Sequence, residues 1–257
     1  MNITTSYRTI HSIVRLLFIG AGWSTRRVLI RKMFETVRAF VFDFDGTLAI
    51  PNIDFGLMRR RVDIIATRYG VNPVSVQHLY ILEMIETVRA QLAQAGDSRG
   101  EDFHREAHAS ILALEIDCAR RGGMLPGALE VLQALRQLGF KLAVVTRNSA
   151  SAVRTICSTI DTLCDVFLPR EVVRFVKPHP EHLQRALEEL HTPAQQAVMV
   201  GDGPIDIAAG KALGLKTVAV LTGGDRRASL LASHPDLVLD SVADLLPRLA
   251  ESGVRKR

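Results

Sequence analysis

From Val37 onward the sequence alternates short, uniformly apolar runs with longer helical stretches, and this alternation constrains the fold more than any other feature. The runs are V-R-A-F-V-F-D (37–43), F-K-L-A-V-V-T (140–146), A-V-M-V-G-D (197–202), K-T-V-A-V-L (216–221) and D-L-V-L (236–239). Their apolar residues would fall on both faces of a strand, so each face must be covered, and helices are expected to start at Ser149, Pro204 and Ser241. The reading is an α/β fold built on a parallel sheet with helices on both sides. The first strand should end at Asp43, where D-G-T signals a turn.

One stretch breaks the alternation. Residues 54–70, 73–95 and 100–121 read as three helices, with apolar residues at three- and four-residue spacings such as Val76, Leu79, Tyr80, Ile81, Met84, Ile85 and Val88. Pro51 bounds this stretch on one side, and Gly122, Gly123 and Pro126 on the other, which suits paired hinges. The expected organisation is a core of 36–50 and 123–257, a helical insert at 51–122, and an extension at 1–35.

Charge bears on partners through its location. The net charge is +5 over 257 residues, but residues 1–34 hold Arg8, Arg15, Arg26, Arg27, Arg31 and Lys32 and no acid. The remaining 26 basic residues face 27 acidic ones, so the folded part is nearly neutral and no nucleic-acid partner is expected. An apolar run from Ile13 to Ala21 is short and interrupted by Arg15; it resembles a transit peptide or interfacial anchor but does not span a bilayer. Because Met33 lies just before the first strand, residues 1–35 are expected to be a disordered tail or to precede the natural start, with targeting as the lesser alternative and no membrane contact expected outside 1–32. Cys118, Cys157 and Cys164 form no disulfide or C-x-x-C pattern, so reduced thiols in the cytoplasm are expected.

Four polar clusters sit at the carboxyl ends of the expected strands, where open α/β sheets bind ligands. They are Asp43 with Asp45, Thr146 with Arg147 and Asn148, Lys177, and Asp202 with Asp206. Two carboxylates two residues apart at a strand end project above the sheet edge, a placement suited to metal binding. Each has an ordinary alternative: Asp45-Gly46 as a simple turn, Lys177 as an exposed lysine, Asp206 as an acid at a helix start. Their convergence at one sheet edge favours a site. Other signals are discounted. His104 and His108 lie four apart, but H-R-E-A-H is not a zinc-protease pattern; Arg59, Arg60 and Arg61 read as a solvated helix face, and Gly223-Gly224 as a turn that could border an entrance. G20-A-G22 has no dinucleotide fingerprint after it.

In order, D43-F-D-G-T-L48, V-V-T146-R-N-S, V-K177-P-H-P and V-G201-D-G-P-I-D206 resemble the four signatures of the haloacid-dehalogenase-like hydrolases, above all the phosphoglycolate-phosphatase-like branch with a helical cap. The likeness covers residues 37–250. It implies a Rossmann-like core and a magnesium-dependent phosphatase. By the resemblance, Asp43 would attack phosphorus to give an aspartyl-phosphate, and Asp45 would protonate the leaving group and then activate water. Thr146, Arg147, Asn148 and Lys177 would bind the substrate phosphate. Mg2+ would be held by Asp43, the backbone carbonyl of Asp45 and Asp202, with Asp206 in support.

The sequence also separates chemistries within that resemblance. Dehalogenases lack the second aspartate, which is present here as Asp45. Phosphonoacetaldehyde hydrolases and β-phosphoglucomutase use a cap lysine, and no lysine occurs from residue 49 to 125. P-type ATPases carry threonine where this chain has Asp45, so turnover is expected. The first substrate expectation is a small phosphorylated metabolite like phosphoglycolate. A phosphosugar or nucleotide phosphatase, a phosphomutase, and a catalytically inactive binding protein of this fold stay open, as does monomer against homodimer.

Overall fold

A computed structural model describes residues 23–50, 52–224 and 227–253; the expectations for residues 1–22 and for Pro51 fall outside the described residues. The elements in chain order are α1 (Trp23–Phe34), β1 (Ala39–Phe42), α2 (Phe55–Arg68), α3 (Ile81–Gln94), α4 (Gly100–Ala119), α5 (Ala128–Gln137), β2 (Lys141–Val145), α6 (Ala150–Ile156) and α7 (Ile160–Leu163). Then follow β3 (Val166–Leu168), α8 (Glu181–Glu189), β4 (Ala197–Gly201), α9 (Pro204–Ala212), β5 (Lys216–Val220), α10 (Arg227–Ala232), β6 (Leu237–Leu239) and α11 (Leu245–Ser252).

All strand pairs are parallel, in the order β3-β2-β1-β4-β5-β6. The chain builds outward from β1 to one side through β2 and β3, then returns to place β4 on the other side. That reversal opens a crevice above the β1 carboxyl end, the ligand position of a doubly wound sheet. Phe42 pairs in register with Val144 on β2 and Val200 on β4, so Asp43, Thr146 and Asp202 follow at neighbouring strand tips.

The all-apolar strands are explained by two packed faces. Phe40, Phe42, Val144 and Val200 face Leu132 and Leu135 of α5 and Leu245 and Leu249 of α11. Ala39, Val41, Val145 and Met199 face Leu183 and Leu187 of α8 and Ala209 of α9. Alternate residues of one strand therefore serve opposite layers, as the period of two requires.

The expected extension at 1–35 is corrected over its last third. Residues 23–34 form α1, which packs on α11, with Ile30 and Phe34 buried in the main core. The Phe34 ring lies 6.2 Å from Phe40, and Phe40 meets Phe140 edge-on at 5.1 Å. Lys216 also donates its ammonium to the carbonyl oxygen of Met33. The Ile30–Phe34 spacing of four was the local signal of this buried face.

The insert between β1 and α5 is helical, and α2, α3 and α4 share a core of their own that includes Val62, Ile65, Met84, Val88, Phe103 and Ile111. The helix expected at 73–95 is divided: Pro73–Val76 is a 3-10 turn and α3 begins only at Ile81. Arg59 spans the break. Its guanidinium donates to the carbonyls of Val76, Gln77 and Leu79 at 3.2, 2.6 and 3.0 Å, satisfying carbonyls where the helical ladder is interrupted. Arg59 is thus a strut inside the insert, where the sequence read a solvated face. The chain leaves and re-enters the sheet side by side: Ile50 N donates to Gly123 O, and Leu125 N to Leu48 O.

Candidate active site

Four of the six expected acidic and basic groups, Asp43, Lys177, Asp202 and Asp206, come together in one cluster. Lys177 Nζ lies 2.5 Å from Asp43 Oδ1 and 2.7 Å from Asp206 Oδ1, and the lysine is fully buried at 1% exposure. An isolated ammonium at such depth would cost several kcal/mol, so its two carboxylate partners are a condition of its burial. Burial alone would push the Lys177 amine down; Asp206 and then Asp43 outweigh it and hold it above the ordinary lysine range. Asp206 also accepts the Gly203 N–H at 3.0 Å, in the first turn of α9. Its helix-start and cluster roles therefore coincide.

Asp43, Asp202 and Asp206 present carboxylate oxygens that lie within 4.8 Å of one another. Burial first, and the charges of Asp43 and Asp206 next, raise the Asp202 carboxyl above its usual range. Burial likewise raises Asp206, against the pull of Lys177. Two buried carboxylates and the half-buried Asp202 have one ammonium among them, and their all-oxygen donor set fits a hard divalent cation.

Asp45 occupies a different pocket. Asn148 donates to both its oxygens at 3.1 Å, and Thr146 Oγ1 lies 3.4 Å from Oδ2. Burial, then the neighbouring charge of Asp43, pushes its carboxyl up to about 7 against the opposing hydrogen bond from Asn148. The two aspartates of D-F-D thus point at different partners, lysine for one and amide plus hydroxyl for the other, which equips them for different tasks.

Close backbone approach shapes the acidic side. Gly46 has φ +82°, and a Cβ there would meet Asp202 Oδ2 at 2.4 Å. At Gly223 a Cβ would come within 1.7 Å of the same oxygen. Gly223 is therefore required at the site wall. Thr47 Oγ1 steadies Asp202 at 3.3 Å, and Thr222 Oγ1 donates to Gly46 O at 2.6 Å.

The other two expected phosphate-binding residues are also held by protein partners. Asn148 is spent on Asp45, and Arg147 donates to Glu83 Oε1 and Oε2 of α3 at 2.8 and 2.7 Å and to the Lys177 carbonyl. The Arg147 guanidinium also lies over the Tyr80 ring, 5.2 Å from its centroid. A second arginine, Arg170, forms a buried ion pair with Glu115 of α4. Neither Glu83, Arg170 nor Glu115 was singled out by sequence, because the pairs join residues 64 and 55 positions apart. His182 was also missed: its Nδ1 accepts the Lys177 N–H at 3.3 Å and its Nε2 donates to Leu168 O at 3.1 Å. A buried, neutral imidazole thereby fixes the backbone that carries the lysine.

Comparison with known proteins identifies the family. The family model described as haloacid dehalogenase-like hydrolase matches residues 37–214. Pyrophosphatase PpaX of Bacillus mycoides is 42% identical over 123 residues, 47% of this chain, and the matched part spans 57% of that protein's length. The PpaX of Bacillus thuringiensis strain Al Hakam is 40% identical over 124 residues, again 57% of its length. The chain thus spans little more than half of these curated relatives. Among solved structures, a hydrolase from Pseudomonas syringae superposes with a TM-score of 0.63 at 20% identity, covering 83% of this chain and 98% of that one. CbbY from Rhodobacter sphaeroides, solved with phosphate, gives 0.56 at 24% identity over 83% and 99%. At these identities the structural likeness speaks for the fold alone, whereas the family match spans most of the catalytic strands. The chain belongs to the haloacid dehalogenase-like hydrolases.

Proposed function

We propose that the protein is a magnesium-dependent phosphatase that releases inorganic phosphate from a small phosphorylated metabolite, by way of a phosphorylated Asp43. One observation carries this reading: a buried lysine orients one aspartate of D-F-D, while an amide and a hydroxyl hold the other in a separate pocket. A nucleophile and a proton carrier need that division of environments.

Lys177 fixes Asp43 Oδ1 and thereby aims the carboxylate at phosphorus. Attack forms the Asp43–phosphorus bond as the bond to the leaving oxygen breaks, and Asp45 supplies that oxygen with a proton. Asp45 then takes a proton from the water that displaces Asp43, returning both carboxylates to their starting states. Thr146, at the β2 tip, and the Lys177 ammonium would offset the charge of the phosphoryl oxygens. Asp43, Asp202 and the Asp45 carbonyl would hold Mg2+, with Asp206 in support because its two oxygens already accept from Lys177 and Gly203. Bound there, the ion would offset charge on the carboxylates and on the phosphoryl group.

The helical insert is proposed to act as a cap, since Glu83 reaches the core at Arg147 beside the site. Phosphoglycolate stays the first substrate by motif resemblance, and pyrophosphate joins it because the curated relatives carry that activity in their names. The three free, buried cysteines are compatible with a reducing cytoplasm. Among the described residues, no helix is long and apolar enough to cross a membrane. The test is a phosphate-release screen over phosphoglycolate, pyrophosphate, sugar phosphates and nucleoside monophosphates, with Mg2+ and after chelation. Release from at least one substrate, abolished by chelation, is expected; no release from any of them with Mg2+ sinks the proposal.

A further inference from the structure

The insert carries a second group of ligand-type side chains, away from the acidic centre. His104 and His108 project from one face of α4, four residues apart, with ring centroids 4.4 Å from each other. The fold supplies what the sequence alone did not associate with them, a carboxylate from the neighbouring helix. Glu86 of α3 places Oε1 2.8 Å from His104 Nε2. The three residues present ligand atoms that all lie within 4.8 Å of one another.

We propose that Glu86, His104 and His108 form a site for a borderline divalent transition metal such as Zn2+, with water as its fourth ligand. Two imidazole nitrogens and one carboxylate oxygen are the donor set that such ions favour and that Mg2+ does not. Tetrahedral bonds of about 2.0–2.2 Å set ligand atoms roughly 3.4 Å apart, so small side-chain rotations suffice to admit the ion. Glu86 is oriented for this. Its Oε2 accepts from Arg89 Nε and Nη2 at 3.1 and 2.9 Å, which turns Oε1 toward the imidazoles. Such an outer partner is what orients a ligating carboxylate in metal sites. Arg89 is itself shared with Glu101 at 2.9 Å, so its charge is partly compensated.

A metal here would bridge α3 and α4 one turn from Glu83, the residue that clasps Arg147. This inference is independent of the phosphatase reading.

The experiment titrates the full-length, metal-free protein with Co2+ by visible absorption in the presence of excess Mg2+, which occupies the acidic centre. One equivalent with nitrogen-ligated bands is expected, abolished in His108→Ala, weakened by about tenfold or more in Glu86→Gln, and retained in Asp202→Asn. In the unmodified protein, Zn2+ should shift the ring proton resonances of His104 and His108, a measurement that needs no variant to fold. Undiminished binding in His108→Ala, loss of binding in Asp202→Asn alone, or unshifted His104 and His108 resonances would each overturn the proposal.

Discussion

Arg147 follows Thr146 at the tip of β2, and both carboxylate oxygens of Glu83 from the helical insert accept its guanidinium, at 2.8 and 2.7 Å. The clasp joins core and insert at the mouth of the site. Its side chains are 18% and 36% exposed, so solvent screens the pair and limits its worth to about 1 kcal/mol. Glu83→Gln should therefore leave global stability nearly unchanged. If the clasp helps to close the insert over substrate, kcat/KM for phosphate release should fall about fivefold, carried mainly by KM. Steady-state kinetics and a melting curve on the same sample check this; an unchanged KM removes the clasp from substrate capture.

The position of Phe34 makes α1 part of the folded unit. Its ring is fully buried against Phe40, beneath β1. Phe34→Ala should cost about 3–5 kcal/mol by denaturant unfolding, the range for deleting a buried aromatic ring. A cost under about 1 kcal/mol would mean that α1 is only loosely docked.

How far the sequence disclosed this molecule depended on the range of each interaction. β1, β2, β4, β5 and β6 were legible because strands covered on both faces must be apolar throughout. β3 was not, since three residues, Val166 to Leu168, give too little pattern to separate from the neighbouring helical turn. Asp43, Asp45, Thr146, Asp202 and Asp206 were legible because they follow strand ends in local motifs, and Lys177, in the loop between β3 and α8, because of its own motif V-K-P-H-P. The Arg147–Glu83 and Arg170–Glu115 pairs were hidden for the opposite reason: each spans the insert boundary, and no local periodicity records a partner so distant. Residues 23–34 were misread because their basic character obscured the Ile30 and Phe34 spacing.

His182 gives the fold a specific acid sensitivity. Burial, then the nearby Lys177 charge, holds its imidazole at about 3, against 6.5 for the unperturbed group. Between these values the unfolded chain binds a proton that the folded one does not. The stability contribution is thus fully present above about pH 6.5 and is lost as pH falls toward 3, at up to about 1.4 kcal/mol per unit. The raised carboxyls of Asp45 and Asp206 contribute the opposite slope over the same range, so the readout is a difference: over pH 7 to 4 the denaturant midpoint of His182→Gln should fall less, or rise more, than that of the parent, by about one proton's worth. An equal slope in the variant would assign the acid sensitivity to other groups.

Asp43 and Asp45 sit two residues apart and should fail differently. Asp43→Asn removes the proposed nucleophile and the carboxylate nearest Lys177, so neither phosphate release nor a phosphoenzyme should be detectable. Asp45→Asn leaves Asp43, Lys177 and Asp202 in place, and the new amide keeps one oxygen to accept from Asn148. What it loses is the proton carrier, a change that typically costs about 10²–10⁴-fold in rate. Turnover should collapse while phosphate-analogue binding survives. A substrate with a very good leaving group, which needs no protonation, should still phosphorylate Asp43 and then stall, because no group remains to activate water. Rapid-quench detection of the phosphoenzyme distinguishes the two variants. Near-parental turnover in Asp45→Asn, or a phosphoenzyme in Asp43→Asn, would reverse the roles proposed for this pair.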